Sequence, residues 1–333
     1  MLTTFHLGLH TALTRLPAFA SLPPDALEPM PRKGVAHDHV RLRGRGLVAR
    51  VPRWSQMGLD PAANLEQQAT AFRRAAPSGH TPEPVAVLPP GDGLPMGALV
   101  VTEVFGRSPR LPGDMPAIAR ALAALHSLPL PEPSARPPLP APADPVAATL
   151  AQVERQAVWF DRSGLASESR ARIQAELDAA RAFRFDGPMP VTLVGSDVHP
   201  GNFLIDETGK AWFTDLEKVQ YGHPAIDLAH ASLYTSTKWE REVAAELRPD
   251  DVMAFLAAWQ AAVAPDLAEA VRPWLRPLRR LTWLRTLSWM ARWSVEGAAL
   301  SPDMPESLAA YMDAHATDIL RPDIIDRVSR DWR

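Results

Sequence analysis

The chain has 333 residues, a formal net charge of −3 and no cysteine. Its length allows about two domains with cores that need no covalent staples, the missing thiols exclude disulfides and thiolate zinc sites, and the small dispersed charge excludes a nucleic-acid-binding face. The opening Met1-Leu-Thr-Thr-Phe-His-Leu lacks the pattern of a signal peptide and no apolar run nears the ~20 residues that span a bilayer, so a soluble cytoplasmic protein without membrane partners is expected.

In chain order, residues 10–19 read as a short helix, ended by Pro23, Pro24 and Pro29. From Arg32 the pattern alternates. His39-Val-Arg-Leu42, a Gly44-Arg-Gly46 turn and Leu47-Val-Ala-Arg50-Val51 predict a hairpin of an antiparallel sheet. His37 and His39 share one strand face, where a solvated face is favoured over a metal chelate. Arg50 stands out as a permanent cation in an apolar strand, which is costly unless paired or bound to an anion. Residues 64–76 predict a helix, with Leu65, Ala69, Phe72 and Ala76 on one stripe. Strands follow at 83–88 and 98–105, flanking a Gly/Pro loop. Met115 to Leu128 predicts a helix ending near His126, which is read as structural. A Pro-rich surface loop runs from Pro129 to Pro145, and helices are expected over 145–161 and 166–183. Beyond Asp227 the chain reads as helical to its end. Trp289 and Trp293 sit one turn apart. The stretch from Leu281 to Trp293 is apolar nearly all round, which favours core packing over an aromatic wall for a cation.

Between these helical stretches lies a polar knot, Asp197-Val-His-Pro-Gly-Asn202. Apolar Val191 to Val194 leads into it, and Phe203-Leu-Ile, a turn at Glu207-Thr-Gly209 and Ala-Trp-Phe-Thr214 lead out. This predicts a loop followed by a short hairpin that returns Asp215 beside the loop. Three oxygen-bearing side chains, Asp197, Asn202 and Asp215, then converge. Mg²⁺ takes one or two carboxylates together with substrate phosphates, so Asn202 and Asp215 suit a nucleotide-bound metal, and Asp197 is left to orient a hydroxyl.

The stretch resembles the catalytic core of the aminoglycoside phosphotransferase and choline kinase family, small-molecule kinases that share the protein-kinase-like fold. The match rests on Asp197-Val-His-Pro-Gly-Asn202, on Phe213-Thr-Asp215-Leu-Glu217, and on Gly222-His-Pro-Ala-Ile-Asp227-Leu-Ala229. The resemblance implies an α+β bilobal fold, with a small, mainly antiparallel nucleotide-binding lobe over residues 1–102 and a larger helical lobe over 103–333 carrying the catalytic loop and acceptor pocket. It implies transfer of the ATP γ-phosphate, with Mg²⁺, to a hydroxyl of an aminoglycoside, choline or ethanolamine, thiamine or a sugar. Asp197 would be the catalytic base, Asn202 and Asp215 the metal ligands, and Asp227 the residue that holds the catalytic loop.

The resemblance also places Arg50 where the fold's phosphate-gripping Lys is expected and pairs it with a helix carboxylate, Glu66, although alignment on Phe72 would put Gln68 there instead. Lys33 and Gly34 would contact phosphate from the covering loop, which otherwise reads as an ordinary surface hairpin. The backbone of Glu103 to Phe105 would meet the adenine edge. One departure stands out: the family usually has His two residues before the catalytic Asp, where this chain has Gly195, and a looser loop is expected. The alternative function is a pseudokinase, a nucleotide or metabolite binding module without turnover.

Overall fold

The computed structural model describes residues 4–32, 36–300 and 304–332. The chain forms two compact units, Met1–Phe105 and Gly106–Arg333.

The first unit is built on a five-stranded antiparallel sheet with strand order β1-β2-β3-β5-β4, where β1 is Leu27–Pro29, β2 His37–Leu42, β3 Leu47–Pro52, β4 Pro84–Leu88 and β5 Ala98–Thr102. Alternation sorts its side chains between two faces. Val40, Leu42, Ala49, Val51, Ala98 and Val100 form one face, and helix α1 (Thr4–Thr14) lays Leu9 and Leu13 against it. The predicted helix over 10–19 is therefore shifted earlier: α1 ends at Thr14, and Pro17 opens a separate short 3₁₀ turn.

The opposite face carries Arg50, directly across from His39 on β2 and Leu99 on β5. Helix α2 (Pro61–Ala75) packs on this side. Asp60 caps it, accepting from the N–H groups of Ala62 and Ala63, and Pro61 supplies the fixed φ of a first helical turn. Its buried stripe includes Leu65, Gln68, Ala69 and Phe72.

The second unit is mostly helical. It begins with α3 (Met115–His126), followed by α4 (Pro145–Gln156), α5 (Val158–Arg162) and α6 (Ser167–Ala182). Two small ladders come next. β6 (Thr192–Val194) will pair with β9 (Gln220–Gly222), and β7 (Phe203–Ile205) pairs with β8 (Ala211–Phe213) as a hairpin. Gly209 turns that hairpin at φ +82°, a backbone conformation side chains resist. Asp206 fastens the turn by accepting from the Thr208 and Lys210 N–H groups and from Trp212 Nε1.

Helices α7 (Pro224–Ser232), α8 (Tyr234–Thr237), α9 (Pro249–Gln260), α10 (Pro265–Val271), α11 (Leu275–Glu296), α12 (Glu306–Ile319) and α13 (Pro322–Val328) complete the unit. α11 is its axis, touching α4, α5, α6, α7 and α12. Leu278, Leu281, Trp283, Leu284, Leu287, Met290 and Trp293 are all buried on it, most of them in the apolar stretch from Leu281 to Trp293. Trp293 is core, with its indole N–H donating to Asp313, and it stacks on Trp289. No helix among the described residues is long and apolar enough to cross a membrane.

Candidate active site

The polar knot hangs between β6 and β7. Its N-terminal side is fixed by Asp227 on α7, a fully buried carboxylate whose Oδ2 accepts from the Gly195 N–H (2.7 Å) and whose Oδ1 accepts from the Ser196 N–H (2.9 Å). Its charge is supported from the core. Trp259 Nε1 donates to His126 Nδ1, so the His126 proton sits on Nε2 and is given to Asp227 Oδ2, 3.1 Å away. His126 is thus structural, and what it structures is the loop.

The C-terminal side is fixed by Asn202 and the hairpin. Asn202 Nδ2 donates to the Asp197 carbonyl (2.8 Å), which turns its Oδ1 away from that carbonyl and leaves it as a donor atom for a ligand. The Asn202 carbonyl in turn accepts from the Thr214 N–H and Oγ1, at 2.9 and 3.1 Å. Asp215 is the next residue. The hairpin therefore brings Asp215 to Asn202 as the spacing predicts.

Asp197 keeps about a quarter of its side chain exposed, and both its oxygens have basic neighbours. Lys218 Nζ lies 2.6 Å from Oδ2, and His230 Nε2 lies 3.9 Å from Oδ1. His230 Nδ1 accepts from the Val198 N–H, so Nε2 bears the proton that faces Asp197. Burial alone would raise the Asp197 pKa; Lys218, with His199 and His230, outweighs it and holds the carboxyl far below the usual range. The imidazoles are themselves neutral at pH 7, because burial lowers His199 and takes His230 down to about 3. Lys218 is the charge that decides. Burial also opposes the ammonium, but Asp197 and the neighbouring Glu217 keep the Lys218 pKa above its ordinary value.

Gly195 does not leave a gap. A Cβ there would stand 2.4 Å from Val198 Cγ1 and 2.9 Å from two ring carbons of Phe213. Val198 and Phe213, both buried, occupy the space a side chain would need, so the loop is close-packed where the sequence predicts looseness.

In the first unit, Arg50 is buried, with Nη1 3.2 Å from His39 Nε2 and its guanidinium 5.2 Å from the centre of the Phe72 ring. The expected pairing with Glu66 is not formed. Glu66 is 58% exposed and bonds to Arg73 and Thr70, while Gln68 is 3% exposed and meets His37 Nε2 at 3.1 Å. The cause is helical periodicity: Gln68 lies three residues from Leu65 on the inward stripe, and Glu66 turns outward with Arg73. Lys33 and Gly34 lie outside the described residues. After β5 the Glu103 N–H donates to the Gly46 carbonyl (2.7 Å), so that N–H is already engaged within the unit. The Glu103 side chain is taken by Arg41 Nε at 2.6 Å, and the Phe105 side chain is 70% exposed.

Lys218, His230 and Arg285, which donates to the Ser196 carbonyl, are the residues around Asp197 that sequence reasoning missed. Lys218 and His230 each carried a signal, following Asp215 and Asp227 by three residues. Arg285 carried none.

An antiparallel sheet followed by helices that hold an Asp–Asn loop and a hairpin Asp defines a kinase of the protein-kinase-like fold. The chain matches the phosphotransferase enzyme family (APH) over residues 31–278 and belongs to that family, whose members phosphorylate hydroxyl groups of small molecules. Similar solved structures include the microcompartment-associated aminopropanol kinase, at 19% identity and a TM-score of 0.64 over 98% of this chain and 99% of that one. A choline/ethanolamine kinase family protein from Mesorhizobium loti gives 18% identity and a TM-score of 0.60, covering 98% and 99%. The GDP complex of wild-type aminoglycoside 2′-phosphotransferase-IIIa gives 15% and 0.62, covering 95% and 98%. At such identities the likeness is one of fold. No curated protein sequence matches the chain.

Proposed function

We propose that this phosphotransferase moves the γ-phosphate of ATP, with Mg²⁺, to a hydroxyl of a small molecule in the cytoplasm, and that Asp197 is the group that receives the hydroxyl proton. The observation that carries this reading is the linkage of Asp197, Asn202 and Asp215 through Asn202: its amide holds the Asp197 backbone, and its carbonyl holds the residue before Asp215.

Asp197 Oδ2 is engaged by Lys218, so Oδ1 is the oxygen for the acceptor hydroxyl. The acceptor oxygen forms a bond to the γ-phosphorus while the bond from that phosphorus to the β-bridging oxygen breaks. ADP leaves with the electron pair, and the hydroxyl proton passes to Asp197. A carboxylate held ionised by a cation is a weak base, which suits a loose transition state in which the nucleophile needs orientation more than early deprotonation. Most of the rate then comes from positioning and electrostatics.

Asn202 Oδ1 and the Asp215 carboxylate are the hard oxygen donors that fit Mg²⁺, which when bound neutralises charge on the nucleotide phosphates. Two protein donors are enough, because Mg²⁺ completes its shell with phosphate oxygens and water. In the first unit, Arg50 is the phosphate cation, and its fork offers two donors where Lys offers one point charge. The Glu103 carbonyl and the Phe105 N–H are its groups for adenine. Residues 1–102 would form the nucleotide-binding lobe, with the adenine contacts just past its end, and residues 103–333 would carry the catalytic loop and the acceptor pocket.

The test is ADP formation from Mg·ATP across a panel of amino alcohols, sugars, vitamins and aminoglycosides. Stimulation by one acceptor, lost in Asp197→Asn, is expected. Stimulation that survives in Asp197→Asn refutes the assignment of the base, and failure to bind Mg·ATP by calorimetry refutes the nucleotide reading.

A further inference from the structure

Ser196, the residue before Asp197, is the one non-glycine among the described residues with a left-handed backbone, at φ +65°. Such a conformation is unfavourable for a residue with a Cβ and persists only where the surroundings over-determine it. Here all three polar groups of Ser196 are held, each by a different element. Its N–H donates to Asp227 on α7, its Oγ accepts from Gln220 Nε2 on β9 (2.7 Å), and its carbonyl accepts from Arg285 Nη2 on α11 (2.8 Å).

The three bonds do different work. The N–H and hydroxyl anchor Ser196 itself, whereas its carbonyl belongs to the peptide plane that continues into Asp197. Whatever holds that oxygen fixes the rotation of the plane, and so the direction in which the Asp197 Cα–Cβ bond leaves the chain. Arg285 also brings charge. Burial lowers its pKa, and Asp197 and Asp227 oppose that shift, so the guanidinium is attracted by both the loop carboxylate and the carboxylate that anchors the loop. A planar cation with fixed donor directions is suited to hold a carbonyl while balancing two nearby anions. Its helix is the buried axis of the second unit, a rigid mount for such a group. Arg285 also lies beyond residues 31–278, where the family match ends, so the clamp is contributed by a part of the chain outside that match.

We propose that Arg285 is a positioning residue that aims Asp197, acting through the Ser196–Asp197 peptide. The inference rests on the reading of Asp197 as the group that orients the acceptor.

Two measurements on Arg285→Met test it, after its fold is checked by circular dichroism and thermal melting. Hydrogen exchange of the peptide spanning residues 194–203 should quicken by ~10-fold or more, while exchange in the first unit stays at the wild-type rate. Hydrolysis of Mg·ATP with water as acceptor should slow by ~10- to 100-fold, the scale of a misplaced reacting group, with Mg·ATP affinity unchanged by calorimetry. Because Arg285 acts through Asp197, adding Arg285→Met to Asp197→Asn should slow hydrolysis no further. Unchanged loop exchange in the folded variant overturns the proposal, and so does an equal loss of rate in both backgrounds. Should Arg285→Met not fold, Arg285→Lys keeps the charge, loses the planar fork, and is read by the same loop exchange. If Asp197→Asn hydrolyses ATP at the wild-type rate while Arg285→Met still loosens the loop, the reading of Asp197 fails and the clamp stands.

Discussion

A Gly195→Ala substitution would put its new carbon 2.4 Å from Val198 Cγ1 and 2.9 Å from Cε1 and Cζ of Phe213. Carbon atoms rest at about 3.5–4.0 Å, so the contact with Val198 is more than 1 Å too close. Neither neighbour can yield cheaply. Val198 is fully buried and its N–H is tied to His230, while Phe213 packs on Phe203 with ring centres 5.2 Å apart. Overpacking of this kind costs about 1–3 kcal/mol. The displaced residues flank the chemistry, since Val198 follows Asp197 and Phe213 is two residues before Asp215, so a ~10- to 100-fold loss of kcat should accompany the loss of stability. Urea denaturation gives the first quantity and coupled ADP release the second. On a Val198→Ala background the nearest clashing atom is gone, and the same substitution should cost less than half as much. A Gly195→Ala protein with the wild-type denaturation midpoint and turnover would refute the claim that this space is filled.

Asp197→Asn should lose turnover by at least ~100-fold while binding Mg·ATP normally in calorimetry, and weakened binding would argue against its assigned role. Asp215→Ala should lose the Mg²⁺ dependence of nucleotide binding, and a variant that kept it would remove Asp215 as a metal ligand. Asp227→Asn turns an acceptor-only carboxylate into an amide facing three donors, so destabilisation of about 3–5 kcal/mol is expected in denaturant melts, and less than ~1 kcal/mol would contradict the network. Stability should also fall with acid. Burial takes the His223 and His230 pKa values down to about 3, so below the ordinary value of 6.5 the unfolded chain binds protons that the folded one refuses. The penalty is absent above that value, grows as pH falls towards 3, and has a slope of roughly 1.4 kcal/mol per pH unit for each histidine. Replacing His223 with Gln should flatten the fall measured by urea titration between pH 6.5 and 4.

The sequence reveals the loop and hairpin because their chemistry is local: Asp197, Asn202 and Asp215 lie within nineteen residues, and spacing plus one turn carries them together. Asp227 belongs to the same continuous run. Between Glu66 and Gln68 periodicity decides against the carboxylate, because the stripe of Leu65, Ala69 and Phe72 already points Gln68 inward. Gly195 misled in another way, since a missing side chain says nothing of which neighbours fill its volume, and Phe213 lies eighteen residues on. Arg285 was illegible in principle: it is one Arg among several on a long helix, and the packing of α11 against α7 brings it to Ser196.

The position of α1 has a consequence for how the chain is made. Leu9 and Leu13 cover a sheet face to which β5 contributes Ala98 and Val100, so this helix leaves the ribosome long before the strand that completes its seat. Until then its seat is incomplete, since only the part contributed by β2 and β3 is present, and closing so long a loop makes full docking slow. The element synthesised early is thus among the last of its unit to settle. Nascent chains stalled before Ala98 should be held by chaperones or cut by proteases at α1, and those stalled well after Thr102 should not.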